Sequence, residues 1–358
     1  PTLYTVTYHT NQADADVGVA EIVPANAYNG TTETIYVRVE ENADTTVFGT
    51  TTFSLTVNPS PSIADASVDI CSADSFSVIP VSSGANVVPT GTTYTWTVLS
   101  SAGIIGASDQ ATPQTSIGQT LINTTDVASL VTYSVTASVG TAPNICTDTF
   151  EINVIVYPKP SIADVTSSIC SLQTFTVTPA TNGTDLVPGG TTYTWTVVAP
   201  AGISGASNQA ISQASISQTL TNSTETELDV VYTVTASSGT APNICTDIFT
   251  ITVTVNPLPI INDRVVAICS QDTFTLTPTT ASPEIVPTGT TYTWTVVAPV
   301  GITGSSDEAT AQTNISQTLT NTTNAPIDVV YTVTASVGTA PNVCTDTFTI
   351  TVTVNPKP

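Results

Sequence analysis

Six cysteines carry the most reactive side chains of this sequence, and they recur in pairs. Two fall in each copy of an internal repeat, 75 residues apart, unlike the close CxxC pairs of zinc sites. We expect one disulfide within each copy, which requires an oxidising compartment; the alternative is buried free thiols. Each bond would close a loop worth about 4–5 kcal/mol in the chain-entropy model. The predicted bonds join Cys71 to Cys146, Cys170 to Cys245 and Cys269 to Cys344.

Two acidic positions recur in all three copies and could bind calcium, because Ca²⁺ prefers carboxylate and carbonyl oxygens. One position lies at the start of each copy and the other just after its second cysteine. The alternative is that one Asp caps a turn and the other accepts a hydrogen bond from a loop backbone. The six candidate calcium ligands are Asp65, Asp148, Asp164, Asp247, Asp263 and Asp346. Asp14 and Asp16, which lie outside the repeats, are also candidates for calcium ligands.

Aromatic residues recur in the segment Thr-Thr-Tyr-Thr-Trp-Thr-Val, which is unchanged at positions 92, 191 and 290. Tyr94 and Trp96, with their equivalents, could stack on a sugar ring. Their spacing of two residues is that of one face of a strand, so we expect the tryptophans to be core residues. They are Trp96, Trp195 and Trp294.

Catalysis has few candidate residues here. The repeats contain no histidine, since the only one is His9, and the chain has 4 Lys plus Arg. Ser-His-Asp and Cys-His arrangements are therefore excluded within the repeats, and we expect no enzyme and no cofactor apart from the calcium hypothesis. The net charge of −23 disfavours nucleic acid and anionic lipid as partners, because both are bound through Lys and Arg. The sequence contains no run of 18 apolar residues, so we expect no direct insertion into a membrane.

The repeat has a period of 99 residues with no insertion across three copies. It predicts domains at 59–158, 159–257 and 258–358, after a different module whose C-terminal part is 1–58. Segments with alternating prolines, such as Asn256-Pro257-Leu258-Pro259, join the modules and favour a stiff, extended connection. The chain opens without an initiator methionine or signal peptide, and we expect it to be cut from a larger polypeptide.

The strands that position these residues are predicted by alternation. Phe348, Ile350, Val352 and Val354 alternate with threonines, which is typical of a half-buried strand. No segment has helical periodicity. About seven such strands in each module, with a tryptophan on a central one, predict an all-β fold of tandem immunoglobulin-like sandwiches in an extended rod.

Three motifs carry a family resemblance: Ile-Cys-Ser at 70–72, Thr-Tyr-Thr-Trp-Thr-Val at 93–98, and Pro-Asn-Ile-Cys-Thr-Asp-Thr-Phe at 143–150. They resemble the PKD-like repeats of giant surface adhesins of Bacteroidota, which include gliding-motility adhesins. Residues 4–16 and 33–40 resemble a second module type of the same proteins. The resemblance implies type IX secretion and an extracellular location on the outer cell surface. It also implies outer-surface motility or secretion machinery as a partner, and a substratum or glycans bound through other parts of the protein.

The leading functional hypothesis is therefore a structural stalk of an adhesin filament, in gliding motility and surface attachment. The second is a glycan- or calcium-binding module of another large surface protein.

Overall fold

The computed structural model describes residues 3–357, so positions 1 and 358, which bound the first and last predicted domains, lie outside it. The chain divides into two compact units. One runs up to Thr124 and includes Ser129–Val156; the other comprises Thr125–Ala128 and the residues from Tyr157 onward.

The first region is a three-stranded antiparallel sheet with a short helix. Its elements are β1 (Tyr4–His9), α1 (Gln12–Val17), a 3₁₀ helix (Ala25–Ala27), β2 (Glu33–Glu41) and β3 (Asp44–Leu55), with β2 in the centre of the sheet. Asn11 caps α1 by accepting a hydrogen bond from the backbone of Asp14, and Gly18 ends it with a φ of 73°. The expectation of no helix is wrong at α1, because six residues are too few to establish a period of 3.6.

The three repeats fold alike. The first contains β4 (Ala66–Cys71), β5 (Thr93–Ser100), β6 (Ile104–Ile105), β7 (Gln110–Gln114), β8 (Ile122–Asn123), β9 (Ser129–Thr141) and β10 (Asn144–Tyr157). The second contains β11 (Val165–Cys170), β12 (Thr174–Val177), β13 (Thr192–Val198), β14 (Ile203–Ser204), β15 (Gln209–Gln213), β16 (Ile216–Thr219), β17 (Thr221–Asn222), β18 (Leu228–Thr240) and β19 (Asn243–Asn256). The third contains β20 (Arg264–Cys269), β21 (Thr273–Leu276), β22 (Thr291–Val297), β23 (Ile302–Thr303), β24 (Glu308–Gln312), β25 (Ile315–Thr318), β26 (Thr320–Asn321), β27 (Ile327–Val337) and β28 (Cys344–Asn355).

Each repeat contains a five-stranded sheet, with one short strand pair in the first repeat and two in each of the others. In the second repeat the order is β11-β19-β18-β13-β15, with β12 paired to β16 and β14 paired to β17. The first strand of the sheet, β11, lies parallel to the last, β19, and the other pairs are antiparallel. The third repeat has the same arrangement, with β20 parallel to β28. The prediction of tandem, all-β immunoglobulin-like sandwiches is confirmed.

Each repeat has its own hydrophobic core, built from the alternating positions of the long strands. In β28 the side chains of Phe348, Ile350, Val352 and Val354 are buried, while the intervening threonines are partly exposed. This pattern arises because successive strand residues point to opposite faces of the sheet. Trp96, Trp195 and Trp294 lie in these cores and are 4–6% exposed.

Candidate functional site

A disulfide between Cys170 and Cys344 joins the second repeat to the third, with a sequence separation of 174 residues and a distance of 5.6 Å between their Cα atoms. Both side chains are buried. A covalent bond between neighbouring repeats is a feature that can transmit force from one to the next, so this junction is the candidate functional site.

Cys170 lies at the end of its repeat that faces the following linker. It is the last residue of β11, opposite Asn256, the last residue of β19. The parallel pairing of β11 and β19 produces this position, because both strands run toward the C-terminal end of the repeat. The backbone then turns through Leu172, whose φ is 71°, and the N–H of Ser171 donates to the carbonyl of Asn256 at 2.8 Å.

Cys344 lies at the opposite end of its own repeat. It opens β28, directly after the loop that joins β27 to β28, and is paired with Val337. The equivalent loop in the second repeat lies against the linker that precedes it, since Asn243 donates to the hydroxyl of Tyr157 at 3.2 Å and Ser238 donates to the carbonyl of Pro158 at 3.0 Å. The second cysteine of a repeat is therefore at the N-terminal end.

The junction also has a cleft lined by both repeats. It has a volume of about 520 Å³ and lies between Ser223, Thr224 and Glu225 of the second repeat and residues 282–285 of the third.

The predicted disulfides within each repeat are wrong. Cys170 bonds Cys344 and not Cys245, and within residues 3–357 Cys146 and Cys269 have no disulfide partner. Cys71 and Cys245 are both disulfide-bonded, so neither leaves a thiol for these two. The physical reason is distance: Cys245 is 11 residues from Asn256 along β19, which is about 36 Å at the rise of a strand. Cys170 lies beside Asn256 and is therefore similarly far from Cys245. The Cα atoms of two cysteines must lie within ~7 Å of each other to form a disulfide.

The recurring aspartates accept hydrogen bonds from backbone N–H groups. Asp65, Asp164 and Asp263 each accept from a residue of the last strand of their repeat at 2.7 Å. Asp148 accepts from Ile63, also at 2.7 Å. These bonds hold the entry segment of the repeat on the last strand. The N–H of Thr250 lowers the pKa of Asp164, and the N–H of Thr349 lowers that of Asp263, because a hydrogen bond to the carboxylate favours its charged form.

No three His, Cys, Asp or Glu side chains lie close enough to hold a metal ion in the described part of the chain. Calcium binding by Asp65, Asp148, Asp164, Asp247, Asp263 and Asp346 stays a prediction, and at least four of these carboxylates already accept backbone hydrogen bonds.

A glutamine–tyrosine network, which the sequence analysis missed, recurs in each core. Gln317 accepts from the Tyr331 hydroxyl at 2.8 Å and from the N–H of Ser306 at 3.1 Å, and Trp294 donates to the Ser306 carbonyl at 3.2 Å. The same bonds join the equivalent residues of the other repeats. Burial raises the pKa of Tyr133, the equivalent of Tyr331 in the first repeat, to about 12. The indole N–H of each tryptophan thus donates to a backbone carbonyl within its own repeat. The ring faces are buried and do not form a surface on which a sugar could stack.

The first region contains its own buried polar groups. His9 is fully buried, with Nδ1 at 2.8 Å from the Val19 carbonyl and Nε2 at 2.9 Å from the Thr7 hydroxyl. Arg38 is also buried, donates to Glu40 at 2.8 Å, and lies 3.6 Å from the ring centroid of Phe48.

Asp14 and Asp16 both accept side-chain hydrogen bonds at α1, from Asn11 and Gln12 respectively. A groove of about 800 Å³ lies between the 3₁₀ helix and the sheet, lined by Tyr8, Tyr28 and Phe53 among others.

None of the described helices is both long and apolar enough to cross a bilayer.

Solved structures of tandem immunoglobulin and cadherin domains are similar to the chain over most of its length. The I67–I69 fragment of titin is 10% identical with a TM-score of 0.33, over 84% of this chain and 97% of that one. The first four cadherin domains of Drosophila N-cadherin are 11% identical with a TM-score of 0.24, over 92% and 85% of the two chains. The four N-terminal immunoglobulin domains of Dscam1 are 5% identical with a TM-score of 0.24, over 99% and 91%. TM-scores this low support no conclusion about function. No curated protein is significantly similar in sequence.

Family models account for nearly the whole chain. Residues 1–61 match the Flavobacterium inter-domain disulphide bond domain. Residues 68–160, 167–259 and 266–358 each match the PKD-like domain, and together they make up more than half of the chain. These matches agree with a repeat protein of Flavobacteria. The three repeats with their cross-linked junction are PKD-like domains, and the chain belongs to the PKD-like family.

Proposed function

We propose that this chain is a stalk segment of a secreted bacterial surface adhesin, in which disulfides brace one module against the next. The observation that carries the proposal is the Cys170–Cys344 bond, which crosses the Asn256–Pro259 linker. A linker alone lets two modules separate when either one is pulled or partly unfolds. A bond between them keeps the junction closed under load.

The surface chemistry suits exposure outside the cell. Four Lys plus Arg in 358 residues leave few sites for trypsin-like proteases, and Lys159 and Lys357 are each followed by proline. The net charge of −23 opposes association between filaments. Structural disulfides persist in oxidising, extracellular surroundings. We infer that the segment acts mechanically, through the bond between its repeats.

We further propose that the adhesin acts in gliding motility and surface attachment. This role is supported by the resemblance of the repeat motifs to the gliding-motility adhesin SprB, and by the match of residues 1–61 to a Flavobacterium domain. On this proposal, type IX secretion exports the protein to the outer surface. The motility or secretion machinery then holds one end, and other parts of the protein bind a substratum or glycans.

Tryptic mapping without reduction tests the brace. Trypsin can cut the denatured, thiol-blocked chain after Arg38 and Arg264, because the two lysines precede proline. Cys170 then lies in fragment 39–264 and Cys344 in fragment 265–358. We expect one disulfide-linked species that separates into the two fragments on reduction. Fragments that are already separate before reduction would mean that no disulfide joins the second repeat to the third, and the proposal would fail.

Solution scattering tests the stalk. The longest strand of a repeat has 14 residues, so three repeats end to end would span about 140 Å at the rise of a strand. We expect a maximum dimension of at least that length and a rod-like distance distribution. A compact globule would contradict the proposal. Loss of surface attachment by cells whose adhesin lacks these modules would test the role in attachment.

A further inference from the structure

Two cysteines remain without a disulfide in the described residues: Cys146 of the first repeat and Cys269 of the third. Both occupy positions that are bonded elsewhere in the chain. Cys269 is the equivalent of Cys170, and Cys146 is the equivalent of Cys344, because the repeat is 99 residues long. Each free thiol can therefore be compared with a bonded cysteine in the same setting.

Cys269 is held in the same local geometry as Cys170. It ends β20 opposite Asn355, as Cys170 ends β11 opposite Asn256. The next N–H, that of Ser270, donates to the Asn355 carbonyl at 2.8 Å, which repeats the bond made after Cys170. The following residue, Gln271, has a φ of 73°. Cys269 differs from Cys170 in exposure: it is exposed to solvent, whereas Cys170 is buried.

Cys146 matches Cys344 in the same way. It lies near the start of β10, opposite Val139 of β9, and Cys344 lies at the start of β28, opposite Val337 of β27. It therefore stands at the N-terminal end of its repeat, beside the loop that joins the two long strands. Cys269 stands at the C-terminal end of its repeat. The two thiols therefore lie at opposite ends of their repeats, one on the side of the preceding module and the other on the side of the following module.

We propose that Cys146 and Cys269 are covalent attachment sites that continue a disulfide ladder through neighbouring modules. Cys269 takes the second cysteine of a PKD-like module on its C-terminal side. Cys146 takes a cysteine at the C-terminal end of a module on its N-terminal side. The rule is that the first cysteine of a module bonds the second cysteine of the next, as Cys170 bonds Cys344. This ladder rests on the proposed function, because both depend on the Cys170–Cys344 bond between repeats.

Each new bond requires an oxidant, which we take to be a small-molecule or protein disulfide. With glutathione disulfide, the Cys269 thiolate attacks one sulfur and releases one glutathione thiolate. The partner cysteine then loses its proton, attacks the Cys269 sulfur of the mixed disulfide, and releases the second glutathione. Two protein thiols are oxidised to one disulfide, and one glutathione disulfide is reduced to two thiols.

The test extends the full chain by one repeat, adding a copy of residues 260–358 after Pro358 and refolding in a glutathione redox buffer. The added copy carries both cysteines and the tryptic site after its own Arg264 equivalent. We expect the fragment beyond that site to remain linked to the fragment holding Cys269 until reduction. We also expect Cys269 to become protected from maleimide, and the first cysteine of the added repeat to become reactive.

Two serine variants show whether Cys269 forms the bond to the added repeat. C269S in the extended chain should release the last fragment without reduction, whereas C146S should leave it linked. If the unsubstituted extended chain releases the fragment and Cys269 stays reactive, the proposal for Cys269 is overturned. A digest that still shows Cys170 bonded to Cys344 in that sample would leave the stalk proposal standing.

The other site is tested by inserting a copy of residues 159–257 after Pro59. This places the first cysteine of a PKD-like repeat on the N-terminal side of Cys146. We expect Cys146 to lose its reaction with maleimide, and substitution of the inserted first cysteine by serine to restore it. Cys146 that stays as reactive as in the original chain would overturn the proposal for this site.

Discussion

A pulling experiment across the second and third repeats measures directly what the Cys170–Cys344 bond does. Attachment points at Ala163 and Lys357, made by chemistry that avoids thiols, lie just outside the two cysteines. The bond removes 174 residues from the path between these points, and at ~3.3–3.6 Å per extended residue this length is about 600 Å. We expect the double variant C170S/C344S to reach a final extension about 600 Å longer than the oxidised chain. The matched control is C146S/C269S, which carries the same two chemical changes and should extend like the unsubstituted chain.

The same measurement separates the two possible pairings. If each repeat closed its own disulfide, C269S alone would free 75 residues, which is about 250 Å of added extension. With the bond between repeats, C269S changes nothing, because Cys269 has no disulfide partner in residues 3–357. An added extension near 250 Å in C269S, or an oxidised chain that extends as far as C170S/C344S, would refute the reasoning.

Three further predictions concern the repeat itself. Because the Thr349 N–H lowers the pKa of Asp263, the folded state gains stability above the unfolded pKa of about 4 and loses it as the pH falls through the lower folded pKa. D263N should therefore show less loss of stability between neutral pH and about pH 2, measured by urea unfolding. Q317A should destabilise by about 1–3 kcal/mol, because the buried Tyr331 hydroxyl loses its acceptor, whereas Q312A at an exposed edge should cost less than about 0.5 kcal/mol. Millimolar calcium should leave the thermal midpoint unchanged, and a clear rise would support the calcium hypothesis instead.

The features that follow from local chemistry were predictable from the sequence. Alternation of apolar residues with threonine identified the strands, because burial on one face of a sheet imposes a period of two. The tryptophans were placed in the core for the same reason. Gln317 gave no such signal, since an isolated glutamine on a Thr-rich strand is indistinguishable from surface until the Tyr331 hydroxyl is seen to donate to it.

The disulfide pairing was not predictable from spacing, because a strict repeat makes the alternatives equivalent in sequence. The residues beside each cysteine are nearly the same in each copy, so a partner 75 residues away and one 174 residues away fit the pattern equally. What decides between them is the direction of two strands. The first strand of the sheet is parallel to the last, so a cysteine at its end lies at the C-terminal end of the module. The second cysteine begins the last strand and so lies at the other end.

That geometry has a consequence for any module built this way. A strand of 12–14 residues separates its two cysteines by the length of the sandwich, so neither can bond within the module, and Cys170 bonds a cysteine of the adjoining repeat instead. The same parallel pairing that closes the sandwich therefore turns a repeat of independent folds into a cross-linked series. Reversing the direction of the first strand would bring the two cysteines together and abolish the link between modules.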